Sequence, residues 1–109
     1  MTLKEIQAAV RAGQTVVIKK YHRKARAWAE SEGLYVPIHR PSKWGNPFRI
    51  GRDGTRDEVC EKYADWLQGQ PDLLADIGEL RGRVLGCYCA PDRCHGDELA
   101  RLANPAEEV

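Results

Sequence analysis

Arg83-Val84-Leu85-Gly86-Cys87-Tyr88-Cys89-Ala90-Pro91-Asp92-Arg93-Cys94-His95-Gly96-Asp97 is the stretch on which the fold turns. Residues 83–89 form the best strand pattern in the chain, a short apolar run of strand length. Pro91 and Asp92 turn the backbone. Residues 96–103 then carry Leu99 and Leu102 into a last short helix, closed by Asn104-Pro105.

Outward from this stretch, helices and strands alternate. Thr2-x-x-Glu5 is a capping box ahead of Leu3, Ile6 and Val10, with Gly13 as the stop. Residues 15–19 are a short β-branched strand and 21–32 a helix rich in Lys, Arg and Ala. Residues 34–39 read as a second strand, ended by Pro41. The segment 40–53 holds two glycines and two prolines, and is a loop. A second capping box, Thr55-x-x-Glu58, precedes Val59, Tyr63, Trp66 and Leu67 at helical spacing. Pro71 starts a further helix through Leu73, Leu74, Ile77 and Leu80. This order predicts an α/β fold, one small domain over residues 1–109 with a short sheet covered by helices.

The chain's 109 residues suit one domain with one core. No stretch approaches the ~20 apolar residues that cross a bilayer, and the first residues lack the pattern of an export signal. A cytoplasmic protein without a membrane partner is expected, its four cysteines reduced. The net charge of +1 hides an asymmetry. Residues 1–52 carry 11 Lys/Arg against 3 Asp/Glu, and residues 53–109 carry 6 against 13. A basic half predicts an anionic partner, DNA or a nucleobase or nucleotide. A domain this small also suggests a homodimer, if a second copy helps to enclose a substrate.

Three of the four cysteines crowd into residues 87–94 beside His95. Alternation along a strand puts Cys87 and Cys89 on one face and Tyr88 on the other. One reading is a zinc site of Cys87, Cys89, Cys94 and His95, the ligand types that zinc prefers. Neighbouring residues do not easily bind one ion together, so His39 is an alternative fourth ligand. A second reading is a catalytic thiolate at Cys94, at the start of the last helix, with His95 or Asp97 moving protons. The plain structural reading makes Cys87 and Cys89 core residues, with His95 and Asp97 capping the helix.

The loop Arg40-Pro41-Ser42-Lys43-Trp44-Gly45-Asn46-Pro47-Phe48 combines cations, aromatics and a rigid backbone. Arg40 and Lys43 suit phosphates, and Trp44 suits stacking on a base or covering a pocket. Asn46 belongs with them as a substrate-binding candidate. The alternative is a turn that Trp44 and Phe48 anchor to the core. A site in either sense requires this loop and the cysteine turn to border one cavity.

These two motifs, with Leu80-Arg81-Gly82-Arg83-Val84-Leu85-Gly86 leading into the second and Glu98-Leu99-Ala100 closing it, resemble a small family found in phages and actinobacteria. It is catalogued as domain of unknown function 4326. The similarity spans about residues 15–104 in order. His39 stands where that family usually has a small residue, which weakens it as a general ligand. The resemblance implies a phage-type DNA-modification enzyme. Its activity would be transfer of a methyl group from S-adenosylmethionine to the aminomethyl group of a 7-deazaguanine base in DNA. Asp97 or His95 would accept the amine proton, Trp44 or Tyr88 would stack on the base, and Arg40 and Lys43 would hold phosphates. No G-x-G-x-x-G turn is present, so the donor would be bound in an unusual way. The rival expectations are a zinc-stabilised nucleic-acid-binding module without catalysis and a cysteine-dependent nucleotide- or base-processing enzyme.

Overall fold

The computed structural model describes residues 1–104. Pro105, expected to close the last helix, lies outside the described residues. Helix α1 (Leu3–Arg11) begins under its capping box, with Thr2 Oγ1 accepting from the Glu5 amide and the Glu5 carboxylate accepting from the Thr2 amide. Strand β1 (Val16–Lys19) follows, then helix α2 (Arg23–Ser31) and strand β2 (Tyr35–Pro37). After the long loop come α3 (Arg56–Gln68), under the Thr55–Glu58 capping box, and α4 (Pro71–Asp76), which tightens into a 3-10 turn at Ile77–Leu80. Strand β3 (Val84–Cys87) and helix α5 (His95–Ala103) complete the fold.

The three strands are parallel in the order β1-β3-β2, so the last strand in sequence is central. Val84 pairs with Val16 on one side and Tyr35 on the other. All four residues of β3 are buried, whereas the edge strands end on exposed Lys19 and Pro37. A strand buried on both faces reads as an unbroken apolar run, and proline is tolerated at an edge. Helices α1 and α2 cover one face, with Ile6, Ala25 and Ala29 over Val16, Ile18 and Val84. Helices α3 and α5 cover the other, with Tyr63, Leu67 and Leu99 among the residues that pack over Leu85 and Cys87. The sheet is therefore the middle layer of three. Asn104 ties the end of α5 to the start of β1, its Oδ1 accepting from the Thr15 amide at 2.6 Å and its Nδ2 donating to the Thr15 carbonyl.

Strand β3 is shorter than the 83–89 expected. Its last rungs are the Ile38 amide on the Gly86 carbonyl and the Lys20 amide on the Cys87 carbonyl. Both neighbours then leave the sheet, so nothing holds Tyr88 and Cys89 extended, and Cys89 enters a turn in which the Asp92 amide bonds its carbonyl. The strand alternation that would put Cys87 and Cys89 on one face stops before it reaches Cys89. Helix α2 likewise starts two residues later than expected, because His22 caps it.

Gly86 leaves room for the Tyr35 ring of β2. A Cβ at this position would fall 2.0 Å from Tyr35 Oη and 2.6 Å from its ring carbon Cε1. Gly86→Ala should cost about 2 kcal/mol or more, because the ring is wedged between α2 and the sheet. Urea denaturation measures this, and an unchanged midpoint would contradict the packing described.

Candidate active-site cleft

Because the strands are parallel, their carboxyl ends share one edge, the usual ligand position in open α/β sheets. Between the loop after β2 and the turn after β3 lies a cleft of about 440 Å³, within the range of small-molecule sites. Arg40, Asn46 and Phe48 line it from one side, and Cys87, Tyr88, Cys89, Cys94 and His95 from the other. The two motifs do border one cavity.

The loop after β2 is held from inside. Trp44 is only 2% exposed. Tyr63, fully buried on α3, donates its hydroxyl to the Trp44 carbonyl at 2.9 Å. Asn46 Nδ2 donates to the Val59 carbonyl, and its Oδ1 accepts from the Phe48 amide. Arg40 folds back to donate to the Asn46 carbonyl at 2.5 Å, over a Gly45 whose added Cβ would meet Arg40 backbone at 3.1 Å. These contacts correct three sequence expectations. Trp44 is a core anchor with no open face for a base. Lys43 turns away from the cleft to Asp76 and Glu79, at 3.0 and 3.2 Å, so it is not placed for phosphate. Asn46 lies on the wall, but both ends of its amide are occupied in bracing the loop.

Cys87 and Cys94 place their Sγ atoms 3.2 Å apart, both buried. The Cys94 thiol donates to Cys87, and the amides of Ala90 and Cys89 add to this, so Cys87 is held well below the ordinary thiol value despite its burial. Cys94, facing that thiolate and desolvated, is pushed up. The pair shares a proton, with the negative charge on Cys87. The thiolate expected at Cys94 therefore sits at Cys87. Cys94 instead N-caps α5, its sulfur accepting from the Gly96 amide at 3.3 Å. A cap with a sulfur acceptor needs close packing, and a Cβ at Gly96 would lie 2.6 Å from Ile38 Cδ1.

Asp97 is exposed and does not line the cleft; its carboxylate accepts from the Cys94 amide and completes the cap. It has no proton to take from a ligand in the cleft. His95 does line the cleft. Its Nε2 lies 2.7 Å from the Ile38 carbonyl, and its ring meets Tyr63 edge-on at 4.9 Å. Burial lowers its pKa against the pull of that carbonyl, so Nε2–H donates and Nδ1 is left as an acceptor. The four donors expected to bind zinc are not gathered. Cys87 and Cys94 face each other, Cys89 has left the strand, His95 is turned to Ile38, and His39 lies against Tyr88 and bonds the Arg40 carbonyl. Among the described residues no group of three or more His, Cys, Asp or Glu side chains is arranged to hold a metal ion.

Arg49, Arg56 and Arg93 join Arg40 on the cleft wall, and no carboxylate lines it. Arg93 pairs with Asp57 and lies near Glu61. Among the described residues the guanidinium groups of Arg40, Arg49 and Arg56 have no carboxylate within 4.0 Å; Arg40 and Arg56 donate to the Asn46 and Arg93 carbonyls, and the Arg49 backbone amide donates to Asp53. Sequence reasoning passed over Arg49 and Arg56, which lie outside both motifs. The available signal was position: Arg49 follows Phe48 directly, and Arg56 is the first residue after the second N-cap.

The family model described as "Domain of unknown function (DUF4326)" matches residues 12–105. The chain belongs to this family. It is 46% identical over 69 residues to "Uncharacterized protein R718" of Acanthamoeba polyphaga mimivirus, which covers 56% of the chain and 52% of that protein. It is 38% identical over 74 residues to the "Uncharacterized 12.4 kDa protein in nrdA-td intergenic region" of Enterobacteria phage T4, covering 63% of the chain and 67% of that protein. The chain thus spans about half the length of its mimivirus relative. No solved structure matches it. Among the described residues no helix is long and apolar enough to cross a membrane.

Substitutions at two positions test the bracing contacts of this DUF4326 domain. Tyr63→Phe leaves the buried Trp44 carbonyl unpaired and should cost about 1–2 kcal/mol in urea denaturation. Asp97→Ala removes half of the α5 cap and should cost about 1 kcal/mol, with Asp97→Asn closer to wild type. Equal midpoints for all three proteins would refute the assigned cap.

His95 gives stability a pH dependence of defined sign. The unfolded imidazole takes up its proton at higher pH than the folded one, so the unfolded state binds more protons between the two values. The contribution is complete above the unfolded pKa of about 6.5 and is lost as pH falls toward the lower folded value. Urea midpoints should therefore drop between about pH 7.5 and about pH 5.5, and the drop should shrink in His95→Gln. An equal drop in both proteins would assign the dependence elsewhere.

Proposed function

We propose that this DUF4326 domain is an enzyme of nucleic-acid modification that takes a nucleotide into the cleft at the carboxyl ends of the strands. The observation that carries the reading is the wall itself: the guanidinium groups of Arg40, Arg49 and Arg56, without carboxylate partners among the described residues, around an acidified thiol. Guanidinium groups match phosphate oxygens by paired hydrogen bonds, and a set of like charges on one wall attracts an anion. Tyr88, about half exposed on the rim, offers a ring to the base. The viral relatives accord with work on DNA inside a cell, and free thiols accord with a reducing compartment such as the cytoplasm.

The specific reaction carried over from the resemblance is methylation of an aminomethyl 7-deazaguanine in DNA by S-adenosylmethionine. The wall fits the phosphate of that substrate and not the sulfonium of that donor, since three guanidinium groups repel a cation. Asp97 is outside the cleft, which leaves Nδ1 of His95 as the acceptor for an amine proton.

A second reading is favoured by the Cys87–Cys94 pair: a base- or nucleotide-processing enzyme in which the Cys87 thiolate attacks an electrophilic carbon of the bound ligand. The proton held by Cys94 is then available to the leaving group.

Calorimetric titration with deoxyguanosine monophosphate at low salt tests the reading. Binding is expected, weakened on the order of ten-fold in Arg49→Ala and in Arg56→Ala, and weakened again by added salt. Failure to bind would remove the cleft as a nucleotide site. Labelled methyl donor with DNA containing the aminomethyl base tests the transfer, and loss of turnover in Cys87→Ser without loss of binding would favour the thiolate reaction.

A further inference from the structure

Beyond the cleft, the same edge of the sheet carries an exposed ring, Tyr21, that the nucleotide reading leaves unused. Met1, Tyr21, Ile50 and Tyr88 are the large apolar residues most exposed among those described. Tyr88 and Ile50 line the cleft, and Tyr21 lies next to Tyr88, with ring centroids 6.1 Å apart. His39 continues the row at 4.9 Å from Tyr88 on the cleft side. Tyr21 and Tyr88 are 64% and 49% exposed, so neither serves the core. Clustered exposed rings on a small domain mark an interaction surface.

The charges around the row identify the partner. The Lys20 ammonium bonds the Tyr88 hydroxyl at 3.1 Å and sits over both rings, at 4.8 Å from the Tyr88 centroid and 5.8 Å from that of Tyr21. Lys19, Lys20 and Arg23 flank Tyr21, and among the described residues none has a carboxylate within 4.0 Å. The row leads from these cations to Arg40, Arg49 and Arg56 on the cleft. Neighbouring exposed rings with unneutralised cations beside them are the features that hold an unpaired strand, with bases on the rings and phosphates on the cations.

We infer that the substrate is a nucleotide within single-stranded nucleic acid, the neighbouring base stacking on Tyr21 while the target nucleotide occupies the cleft beside Tyr88. The inference rests on the cleft's being a nucleotide site, and it adds that the site is fed by a polymer track. A base still paired in a duplex has no face to offer Tyr21, so the target must already be unpaired or be extruded first.

Fluorescence anisotropy on the full chain tests this with a single strand of about eight thymidines carrying one central deoxyguanosine, and with a duplex of the same length. Deoxyguanosine monophosphate is titrated in parallel. The single strand is expected to bind at least ten-fold tighter than the mononucleotide and tighter than the duplex. Tyr21→Ala should reduce that advantage roughly five-fold or more, and Tyr21→Phe should retain it. A duplex bound as well as the single strand, or an advantage indifferent to Tyr21, would overturn the track. Mononucleotide binding with no gain from the polymer overturns the track and leaves the cleft reading standing. Polymer binding that depends on Tyr21, without mononucleotide binding, upholds the track and removes the cleft reading. Binding of neither removes both.

Discussion

The arrangement depends on one strand being buried on both faces. Val84–Cys87 is paired on each side and covered above and below, and all four of its residues are buried. A strand in that position has to be apolar, and it fixes where its neighbours end. Because all three strands run the same way, the chain leaves the sheet at one edge, through Lys20, Ile38 and Tyr88 in turn. The cleft follows from that geometry: it is the gap between loops that no strand fills.

The thiol pair is the chemical consequence of the same strand. Cys87 is its last residue, and Cys94 caps the helix that returns over the sheet. Close packing of Gly96 on Ile38 and Val17 brings the helix start down to the strand end, and the two sulfurs meet at 3.2 Å. In a dry position two thiols at that distance keep one proton between them more easily than they lose both. The charge then settles where more backbone amides point: those of Cys89 and Ala90 meet Cys87, against that of Gly96 alone at Cys94. A polarised thiol, a neutral imidazole and three guanidinium groups without a carboxylate partner on one wall form an unusual combination for a purely structural pocket.

The helices, the capping boxes at Thr2 and Thr55 and the sheet's role as a covered layer were legible in periodicity and in local hydrogen-bonding residues. The convergence of the Arg40–Phe48 loop with the cysteine turn was legible too, because residues that react or bind are clustered in both. The direction of individual side chains was not. Trp44 and Lys43 are as suited to binding a nucleotide as to bracing a loop. Tyr63 decides between these for Trp44, and Asp76 and Glu79 for Lys43, from elements 19 to 36 residues away. Asp97 reads equally as a base or as a cap, and only its contact with the Cys94 amide makes it the latter.

Local chemistry in the sequence determined which segments become helices, strands and turns, because caps, β-branched runs and glycine stops act over a few residues. It also determined that thiols, an imidazole and arginines would be present in the segments that leave the sheet. Only the tertiary structure decided that the last strand lies in the middle, that the acid thiol is Cys87 rather than Cys94, and that Arg49 and Arg56 face the cleft. Those outcomes depend on which distant groups arrive as neighbours. Burial, proton sharing and charge pairing are properties of neighbours, and no reading of one segment at a time contains them.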